Sequence, residues 1–293
     1  MRGQFKQTML DLAAEDERLV LLFGDISVFL FREFEQRHPD RFYNLGICEA
    51  TLIGVAAGLS AQGFIPVVHS IAPFVTERAM EQIKVDLCYN QLPAKIVSCG
   101  ATFDYAWDGA THHGWMDVAF MRLLPGTEVF QPGTPREADF LLRHYYATTR
   151  TSYFRLSDQA HGFDLPLEPG RGGAVVRDLR APTTVVTAGP ILADVMNAVG
   201  DLAVNVIYFH TIKPFDHELL SRFAHTDLRV VHASFGLHQA VCEVAGRSVK
   251  RLGLPDRFCG TYGTIADARR DAGLGIDAIR DFSGATDARR WHP

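Results

Sequence analysis

The segment Arg41-Phe-Tyr-Asn-Leu-Gly-Ile-Cys-Glu49-Ala-Thr-Leu-Ile-Gly-Val-Ala-Ala-Gly-Leu-Ser60 decides how the first half of the chain folds. It predicts a short strand, a glycine turn at Gly46 and then a helix that is apolar almost all round. Such a helix is buried, yet this one carries a carboxylate, Glu49, in its first turn. Burial disfavours a carboxylate anion, whereas a helix N-terminus favours it. Glu49 is therefore either a group that exchanges a proton or hydrogen bond with a ligand, or a charge that stabilises its own helix.

The composition indicates a globular protein with more than one core. The chain has 293 residues, of which 47% are hydrophobic, and is long enough for two domains. A net charge of −5 without a basic run argues against nucleic acid or an anionic membrane as partner. No apolar run reaches the roughly 20 residues that span a bilayer, and the first residues lack the apolar stretch of a signal peptide. Five cysteines without a C-x-x-C pair are interpreted as reduced thiols, so we expect a cytoplasmic protein.

Short apolar runs alternate with helical periods along both halves of the chain. This alternation predicts an α/β fold of two doubly wound domains, each with a mostly parallel sheet covered by helices. A stretch rich in Gly, Pro and charge separates the halves, which gives domains at 1–160 and 176–293 and a linker at 161–175. The predicted strands lie at 19–23, 65–69, 94–98, 128–131, 152–156, 183–187, 204–209 and 228–232, and the predicted helices at 3–15, 49–62, 76–90, 115–122, 135–148, 190–200, 216–224 and 236–252.

Three further places in the first half carry side chains suited to chemistry. Asp25 ends the first apolar strand, at the edge where ligands of open α/β sheets bind, although it also suits a solvent-facing cap. Phe74 precedes a predicted helix and suits either stacking on a flat heterocycle or core packing. Asp108-Gly-Ala-Thr-His112-His113-Gly places imidazoles in a glycine-containing loop, as acid–base chemistry requires, and exposed loop histidines are the alternative. A metal site is disfavoured because adjacent histidines diverge and only Asp108 stands near them.

The motif Leu45-Gly-Ile-Cys-Glu49-Ala, followed by Gly54-Val-Ala-Ala-Gly-Leu, resembles the pyrimidine-binding domain of thiamine-diphosphate enzymes in the transketolase family. In that family the matching glutamate bonds N1′ of the aminopyrimidine ring, so the resemblance implies this role for Glu49. It also implies that Phe74 stacks on the ring and that Asp25 lies against the cofactor. Ile71 stands where a second aromatic often sits and is expected to pack beside the ring.

The loop at 108–113 resembles the family's Asp-Gly-x-Thr-His-Gln. The resemblance implies that His112 handles protons of the substrate's carbonyl and hydroxyl groups, and that Asp108 binds the hydroxyl beside the carbonyl. His113 replaces the family's glutamine, which leaves its contribution to substrate binding open. The second half, through Ile212-Lys-Pro and its neighbours, is similar to the family's C-terminal domain and is expected to build the assembly rather than perform chemistry.

The sequence lacks the Gly-Asp-Gly segment and later asparagine with which the family holds the cofactor's diphosphate and Mg²⁺. No other phosphate-binding fingerprint replaces them. We therefore expect a separate subunit that carries the diphosphate and Mg²⁺ site, in a heterotetramer of two copies of each chain. The implied activity is ketol transfer from a ketose-type donor to an aldehyde or other acceptor. The alternatives are a subunit like the β chain of 2-oxo acid dehydrogenases or like deoxyxylulose-phosphate synthase, and a non-catalytic regulatory subunit, against which the retention of Glu49, Asp108 and His112 argues.

The family's phosphate-binding residues are only partly present. A histidine eight residues before the loop aspartate falls at Gly100, and an arginine that follows the strand at 152–156 falls at Asp158. A third residue, an arginine, is retained as Arg2. Because Asp158 would repel the anion that an arginine attracts, we expect at least one substrate that is not an ordinary aldose phosphate. An arginine supplied by the partner subunit is the alternative.

Overall fold

The computed structural model describes residues 1–284; residues 285–293, at the end of the second predicted domain, lie outside this range. In the first half, strands and helices alternate, and each predicted strand is present within two residues of its expected bounds. The elements are α1 Arg2–Glu15, β1 Leu19–Phe23, α2 Arg32–Arg37, β2 Phe42–Asn44, α3 Glu49–Ala61, β3 Ile65–Ile71, α4 Ala72–Glu77, α5 Met80–Gln82, β4 Lys95–Cys99, α6 Asp117–Leu123, β5 Thr127–Phe130, α7 Pro135–Tyr145 and β6 Thr151–Arg155.

The second half contains the three predicted strands and several elements that the sequence did not predict. The elements of the second half are β7 Gly173–Arg177, β8 Thr183–Ala188, α8 Leu192–Val199, β9 Asn205–Phe209, β10 Thr211–Lys213, α9 His217–Ser221, β11 Asp227–Val231, α10 Leu237–Ala245, β12 Lys250–Leu252, α11 Ile265–Asp271 and α12 Ile276–Gly284. The sequence did not predict β7, β10, β12, α11 or α12. The predicted helix at 236–252 ends at Ala245, because Gly246 adopts a left-handed φ of 62° and the chain then enters β12.

Two sheets organise the described residues, and both are mostly parallel. The first has the order β10-β5-β6-β4-β3-β1-β2 and is parallel except for β10; the second has the order β12-β11-β8-β9-β7 and is parallel except for β7. The fold class predicted from the sequence is therefore confirmed. Strands β1 and β2 end in register, since Phe23 pairs with Asn44, and Phe23 also pairs with His69, two residues before β3 ends. The loops that follow these strands consequently leave the sheet at the same edge.

Side chains on both faces of the first sheet are buried, which explains its continuous apolar strands. In β1, Val20 and Leu22 pack into one hydrophobic cluster, and Leu19, Leu21 and Phe23 pack into another on the opposite face. This alternation follows from the period of two along a strand. No helix within residues 1–284 is both long and apolar enough to cross a membrane. All five cysteines carry free thiols.

The two halves of the chain interlock. Strand β10, which lies in the second predicted domain, pairs antiparallel with β5 at the edge of the first sheet. Beside it, Glu137 of α7 accepts hydrogen bonds from the hydroxyl of Tyr208 in β9 at 2.6 Å and from Gly133 N at 2.7 Å, and it contacts His161 Nε2 at 2.9 Å. His161 lies in the predicted linker, so this buried cluster ties the linker to both halves. The cluster and β10 fix the second half against the loops of the first sheet.

Candidate active site

The residues predicted to carry the chemistry follow different strands but lie along one edge of the first sheet. Asp25 follows β1, Glu49 follows β2, Phe74 follows β3 and His112 follows β4. All four strands are parallel, so their carboxyl ends meet at this edge, where ligands of open α/β folds bind. The topology thus gathers side chains that are far apart in the sequence.

Glu49 is the first residue of α3 and is 3% exposed. Ser70, near the end of β3, donates its hydroxyl to Glu49 Oε1 at 3.1 Å, and Arg78 Nη1 donates to Oε2 at 3.3 Å. The positive end of the α3 dipole also favours the anion. The space around the carboxylate depends on Gly24, because a Cβ there would come within 3.0 Å of Ser70 Oγ and 3.7 Å of Glu49 Oε1. Glu49 is therefore a buried, hydrogen-bonded carboxylate, and the absence of a side chain at Gly24 leaves space beside it.

Phe74 lies in α4 and connects Glu49 with the loop after β4. The guanidinium carbon of Arg78 is 3.7 Å from the centre of the Phe74 ring, so one cation touches both this ring and Glu49. The His112 ring lies 4.9 Å from the Phe74 ring, centre to centre, at a steep angle of 67°. The structure thereby brings together a carboxylate, an aromatic face and an imidazole.

Asp25 is exposed and adopts a left-handed φ of 57°, which is uncommon for a residue other than glycine. Asn44 holds it there: Asp25 N donates to Asn44 Oδ1 at 3.0 Å, and Asn44 Nδ2 donates to Asp25 Oδ1 at 2.9 Å. Backbone strain that neighbouring groups enforce is typical of functional positions. Asp25 lies at the same sheet edge as Glu49.

The loop from 100 to 115 carries Asp108 and His112. Asp108 is exposed, and His112 Nδ1 contacts the hydroxyl of Thr111 at 2.9 Å, which leaves Nε2 as the ring nitrogen for a substrate. Beneath the loop, the fully buried Arg155 donates to Gly114 O at 2.6 Å, and its Nε pairs with Asp117 at 2.7 Å. Because breaking a buried ion pair is costly, Arg155 fixes the end of this loop firmly.

His113 points away from His112 into an aromatic stack. Its ring is 4% exposed, is stacked on Trp115 at 5.4 Å and meets the Phe103 ring edge-on at 5.1 Å, centre to centre. Burial, assisted by the nearby His112, lowers the pKa of His113, so this ring is neutral at pH 7. Neither of its nitrogens has a hydrogen-bond partner among the described residues. The structure does not bring His113 together with Asp108 and His112.

The three positions at which the resemblance implies phosphate binding hold an ion pair, between Arg2 and Asp158, and a glycine, Gly100. Arg2 donates from Nε and Nη2 to the two carboxylate oxygens of Asp158 at 3.2 and 3.1 Å. Gly100 has a φ of 77°, and a Cβ there would come within 2.5 Å of the Tyr105 ring and 3.1 Å of Ile71. The Tyr105 ring therefore fills the space that a side chain at position 100 would need. It also lies 6.1 Å from the His112 ring, centre to centre.

Three residues of this site were not predicted from the sequence: Ser70, Arg78 and Tyr105. Arg78 could have been found, since it follows Phe74 by four residues and shares its helix face. Ser70 and Tyr105 gave no local signal, because their contacts join segments distant in the sequence or depend on a glycine with positive φ. Residues 1–284 contain no group of three or more His, Cys, Asp or Glu side chains placed to hold a metal ion.

Comparison with known proteins identifies the family. Residues 1–162, more than half of the chain, match the model of the transketolase pyrimidine-binding domain. The chain is 30% identical over 281 residues to the 6-deoxy-6-sulfo-D-fructose transketolase subunit SqwH of a Clostridium species, covering 88% of this chain and 85% of the relative. It is 32% identical over 301 residues to the 1-deoxy-D-xylulose-5-phosphate synthase of Oleidesulfovibrio alaskensis, covering 94% of this chain but 46% of that protein.

Among solved structures, a split-gene transketolase described as an inactive β4 tetramer superposes with a TM-score of 0.82 at 28% identity, and the match covers 96% of both chains. The match to this structure extends through both halves of the present chain, beyond the pyrimidine-binding domain. It agrees with the synthase alignment, in which nearly all of this chain corresponds to less than half of a longer protein. The chain belongs to the transketolase family, as a transketolase-like subunit that corresponds to the C-terminal half of the full-length enzymes.

Proposed function

We propose that this chain is the pyrimidine-binding subunit of a thiamine-diphosphate-dependent ketol transferase, which acts with a separate subunit that holds the diphosphate and Mg²⁺. The observation that carries the proposal is the buried carboxylate of Glu49 at the N-terminus of α3, with the Phe74 ring close enough for Arg78 to touch both. SqwH, a relative of similar length, is named as a transketolase subunit, which supports a two-carbon transfer reaction.

The residues present fit the aminopyrimidine half of the cofactor. Glu49 offers a carboxylate oxygen to a ring nitrogen, Phe74 offers an aromatic face, and Gly24 leaves the carboxylate unobstructed. Ile71 would pack beside the ring, and Asp25 would lie against the cofactor. When bound, thiamine diphosphate supplies the carbon nucleophile for cleaving and forming the bond next to a carbonyl group. Since residues 1–284 offer no metal-binding cluster, the partner subunit is proposed to supply the Mg²⁺ ligands.

The chain's own residues then position the substrate and move protons. The carboxylate oxygen of Glu49 would exchange a proton with the ring nitrogen. His112 Nε2 exchanges protons with substrate oxygens, a role that suits an imidazole near neutral pH. Asp108, exposed in the same loop, binds the hydroxyl beside the substrate carbonyl. His113 would act through the position of the loop rather than by contact, because its ring is buried in the stack with Trp115.

The partner and the assembly are also part of the proposal. The solved split-gene transketolase is described as inactive as a β4 tetramer, so we infer that the present chain needs its partner for turnover. We propose a cytoplasmic heterotetramer with two copies of each chain. A non-catalytic regulatory subunit would not need Glu49, Phe74 and His112 at one edge of the sheet.

A synthase of the deoxyxylulose-phosphate type is the second candidate function. The relative from O. alaskensis, 32% identical over 301 residues, favours it. Product analysis with the reconstituted complex separates the two activities, because formation of 1-deoxy-D-xylulose 5-phosphate would identify the synthase.

We further propose that at least one substrate is not an ordinary aldose phosphate. The retained cation, Arg2, already makes two hydrogen bonds to Asp158, and each of these side chains is about one-third exposed. The Tyr105 ring fills the space at Gly100, where the family carries a histidine. A phosphate would therefore have to compete with Asp158 for Arg2, whereas an uncharged substrate would not.

The Glu49→Gln variant tests the proposed function. In the complex with the partner subunit, we expect hydrogen–deuterium exchange at C2 of the bound cofactor to slow by at least about a hundredfold, the usual size of an acid–base contribution. Folding should change only modestly, since the dipole term of one carboxylate is at most about 2 kcal/mol even where it is buried. Glu218→Gln is a matched control, because Glu218 also lies in the first turn of a helix and pairs with an arginine, Arg171. Exchange within a few fold of the unmodified rate would remove Glu49 from the mechanism.

A further inference from the structure

Arg78 makes both of the contacts that the proposed function assigns to the aminopyrimidine ring. Its guanidinium carbon lies 3.7 Å from the centre of the Phe74 ring, and its Nη1 lies 3.3 Å from Glu49 Oε2. The first contact is stacking on an aromatic face, and the second is a hydrogen bond between a nitrogen and the carboxylate group. A guanidinium is flat and carries its donors at its rim. It therefore resembles an aminopyrimidine in the surface that it presents to Phe74 and Glu49.

The position of Arg78 allows it to leave these contacts. Phe74 lies in α4, and Arg78, four residues later, directly follows its last residue with helical φ and ψ, so the arginine stem extends along the same face as the ring. The Arg78 side chain is 49% exposed, whereas Glu49 is 3% exposed. Arg78 thus lies between the buried carboxylate and solvent. Its guanidinium can move into water, but the carboxylate of Glu49 cannot.

We propose that Arg78 is a placeholder for the aminopyrimidine ring: in the free subunit it stacks on Phe74 and pairs with Glu49, and it leaves both when the cofactor binds. The inference rests on the proposed function, because it assumes that the ring uses these two residues. The exchange keeps Glu49 paired in the free subunit, where an unpaired buried carboxylate would be costly. In the bound state, a hydrogen bond between Glu49 and the ring nitrogen, through a proton taken up from solvent, takes the place of the one from Arg78.

A placeholder reduces the apparent affinity for the cofactor. Only the fraction of subunits in which Arg78 has moved away can bind, and the apparent Kd equals the intrinsic Kd divided by that fraction. The contacts of Arg78 are partly exposed, so each of them is weak. Removing the guanidinium should therefore improve cofactor binding by about fivefold.

The test uses the complex of this chain with its partner subunit, with thiamine diphosphate and Mg²⁺ as the probe. The Arg78→Met variant keeps most of the stem but lacks the cation, and we expect a Kd lower by about fivefold and faster association in stopped-flow fluorescence. The Kd of the Arg78→Lys variant should lie between those of the unmodified chain and Arg78→Met, since an ammonium can pair with Glu49 but cannot stack as a plane. Arg222→Met is the matched control, because Arg222 lies over the Phe223 ring at 5.8 Å, in the second half of the chain. It should not change the Kd.

Two further variants separate failure of this inference from failure of the proposed function. Phe74→Leu and Glu49→Gln should both weaken binding if the ring uses these residues. If they do so while Arg78→Met leaves the Kd unchanged or raises it, Arg78 stays in place in the bound state and is not a placeholder, although the proposed function stands. If neither Phe74→Leu nor Glu49→Gln changes the Kd, the ring binds elsewhere, and the placeholder is excluded together with the proposed site.

Discussion

Two arginines of the candidate site, Arg2 and Arg78, are partly exposed and paired with carboxylates of this chain. Arg2 pairs with Asp158 at 3.1 Å, and Arg78 pairs with Glu49 at 3.3 Å. The two ion pairs differ in which of their two groups a ligand would bind. Glu49 is buried, so its pair protects a carboxylate that a cofactor can reach. Asp158 is about one-third exposed, so its pair neutralises a cation that a substrate anion would otherwise attract.

The Asp158→Asn variant tests how this chain discriminates against phosphate. We expect kcat/KM for a phosphorylated substrate to rise by about fivefold relative to an unphosphorylated one, because an exposed ion pair contributes up to about 1 kcal/mol. The gain should shrink at high salt. Steady-state kinetics on the reconstituted complex measure both.

Asp164→Asn is the control for this variant, since Asp164 pairs with Arg136 at an exposed position outside the loop from 100 to 115. A kcat/KM for xylulose 5-phosphate plus ribose 5-phosphate of about 10⁴ M⁻¹ s⁻¹ or more by the unmodified complex would contradict the substrate proposal.

Site residues could be predicted from the sequence where the surrounding segment itself indicates their chemistry. Glu49 stands out because it is a carboxylate in an apolar helix, and His112 because it lies in a loop with Asp108. The direction of His113 could not be predicted, since adjacent side chains diverge and the aromatic stack with Trp115 decides which one is buried. Tyr105 was missed for a similar reason: its role depends on the positive φ of Gly100.

Helices α4 and α6 pack against each other, and each brings a carboxylate to the contact. Burial, with the nearby charge of Asp117 as a second cause, raises the pKa of Glu77 to about 7. Oε1 of Glu77 and Oδ1 of Asp117 are buried without a hydrogen-bond partner among the described residues. Arg155 Nε pairs with Asp117 at 2.7 Å. The raised pKa of Glu77 means that Glu77 takes up a proton near neutral pH.

The Glu77→Gln variant tests this helix contact through the pH dependence of stability. The folded chain holds the Glu77 proton more tightly than the unfolded chain, whose pKa is 4.5, so the free energy of unfolding should fall as the pH rises from about 4.5 to about 7. The variant has no carboxyl group to ionise at this position, so its free energy of unfolding does not fall for this reason. Allowing for screening of a half-buried group, it should be more stable than the unmodified chain by about 1–2 kcal/mol at pH 8 and by much less at pH 5.

Urea unfolding at pH 5 and pH 8 measures the difference. Glu81→Gln is the control, because Glu81 is an exposed carboxylate in the neighbouring α5. An equal midpoint shift at both pH values would mean that Glu77 is ionised in the folded chain.

Strands with a strong apolar run were predicted well, whereas short or interrupted elements were not. The single helix predicted at 76–90 is divided into α4, α5 and a π-helix over Ile83–Tyr89. Its apolar spacing fits all of these, so the pattern cannot choose among them. Strand β10 has three residues and gains its order from β5, a strand about 80 positions earlier in the chain. Tertiary pairing of this kind leaves no periodic signal in the local sequence.

At the scale of the whole molecule, the second half supports the loop that carries the substrate residues. Thr102 Oγ1 donates to Ala233 O at 2.7 Å, and Phe235 N donates to Trp115 O at 3.0 Å. The Tyr262 ring lies so close to Gly109 that a Cβ there would come within 2.5 Å of it. The predicted role of this half in assembly stays a prediction. The contacts add a second role, which is to hold the loop of Asp108 and His112 in place.

The chain nevertheless forms one side of the proposed cofactor site, so on its own it should bind the cofactor weakly. Glu49 and Phe74 can hold the aminopyrimidine, but residues 1–284 provide no cluster of carboxylates or histidines for Mg²⁺. A diphosphate without its metal and its donors contributes little to binding. We therefore expect calorimetric titration of the chain alone with thiamine diphosphate and Mg²⁺ to show no micromolar binding. Binding should appear when the partner subunit is added, and it should disappear again when a chelator removes Mg²⁺, since the partner subunit is proposed to hold the diphosphate through Mg²⁺. The partner subunit alone is the control for binding that does not involve Glu49. Micromolar binding together with turnover by the lone chain would refute the two-subunit architecture.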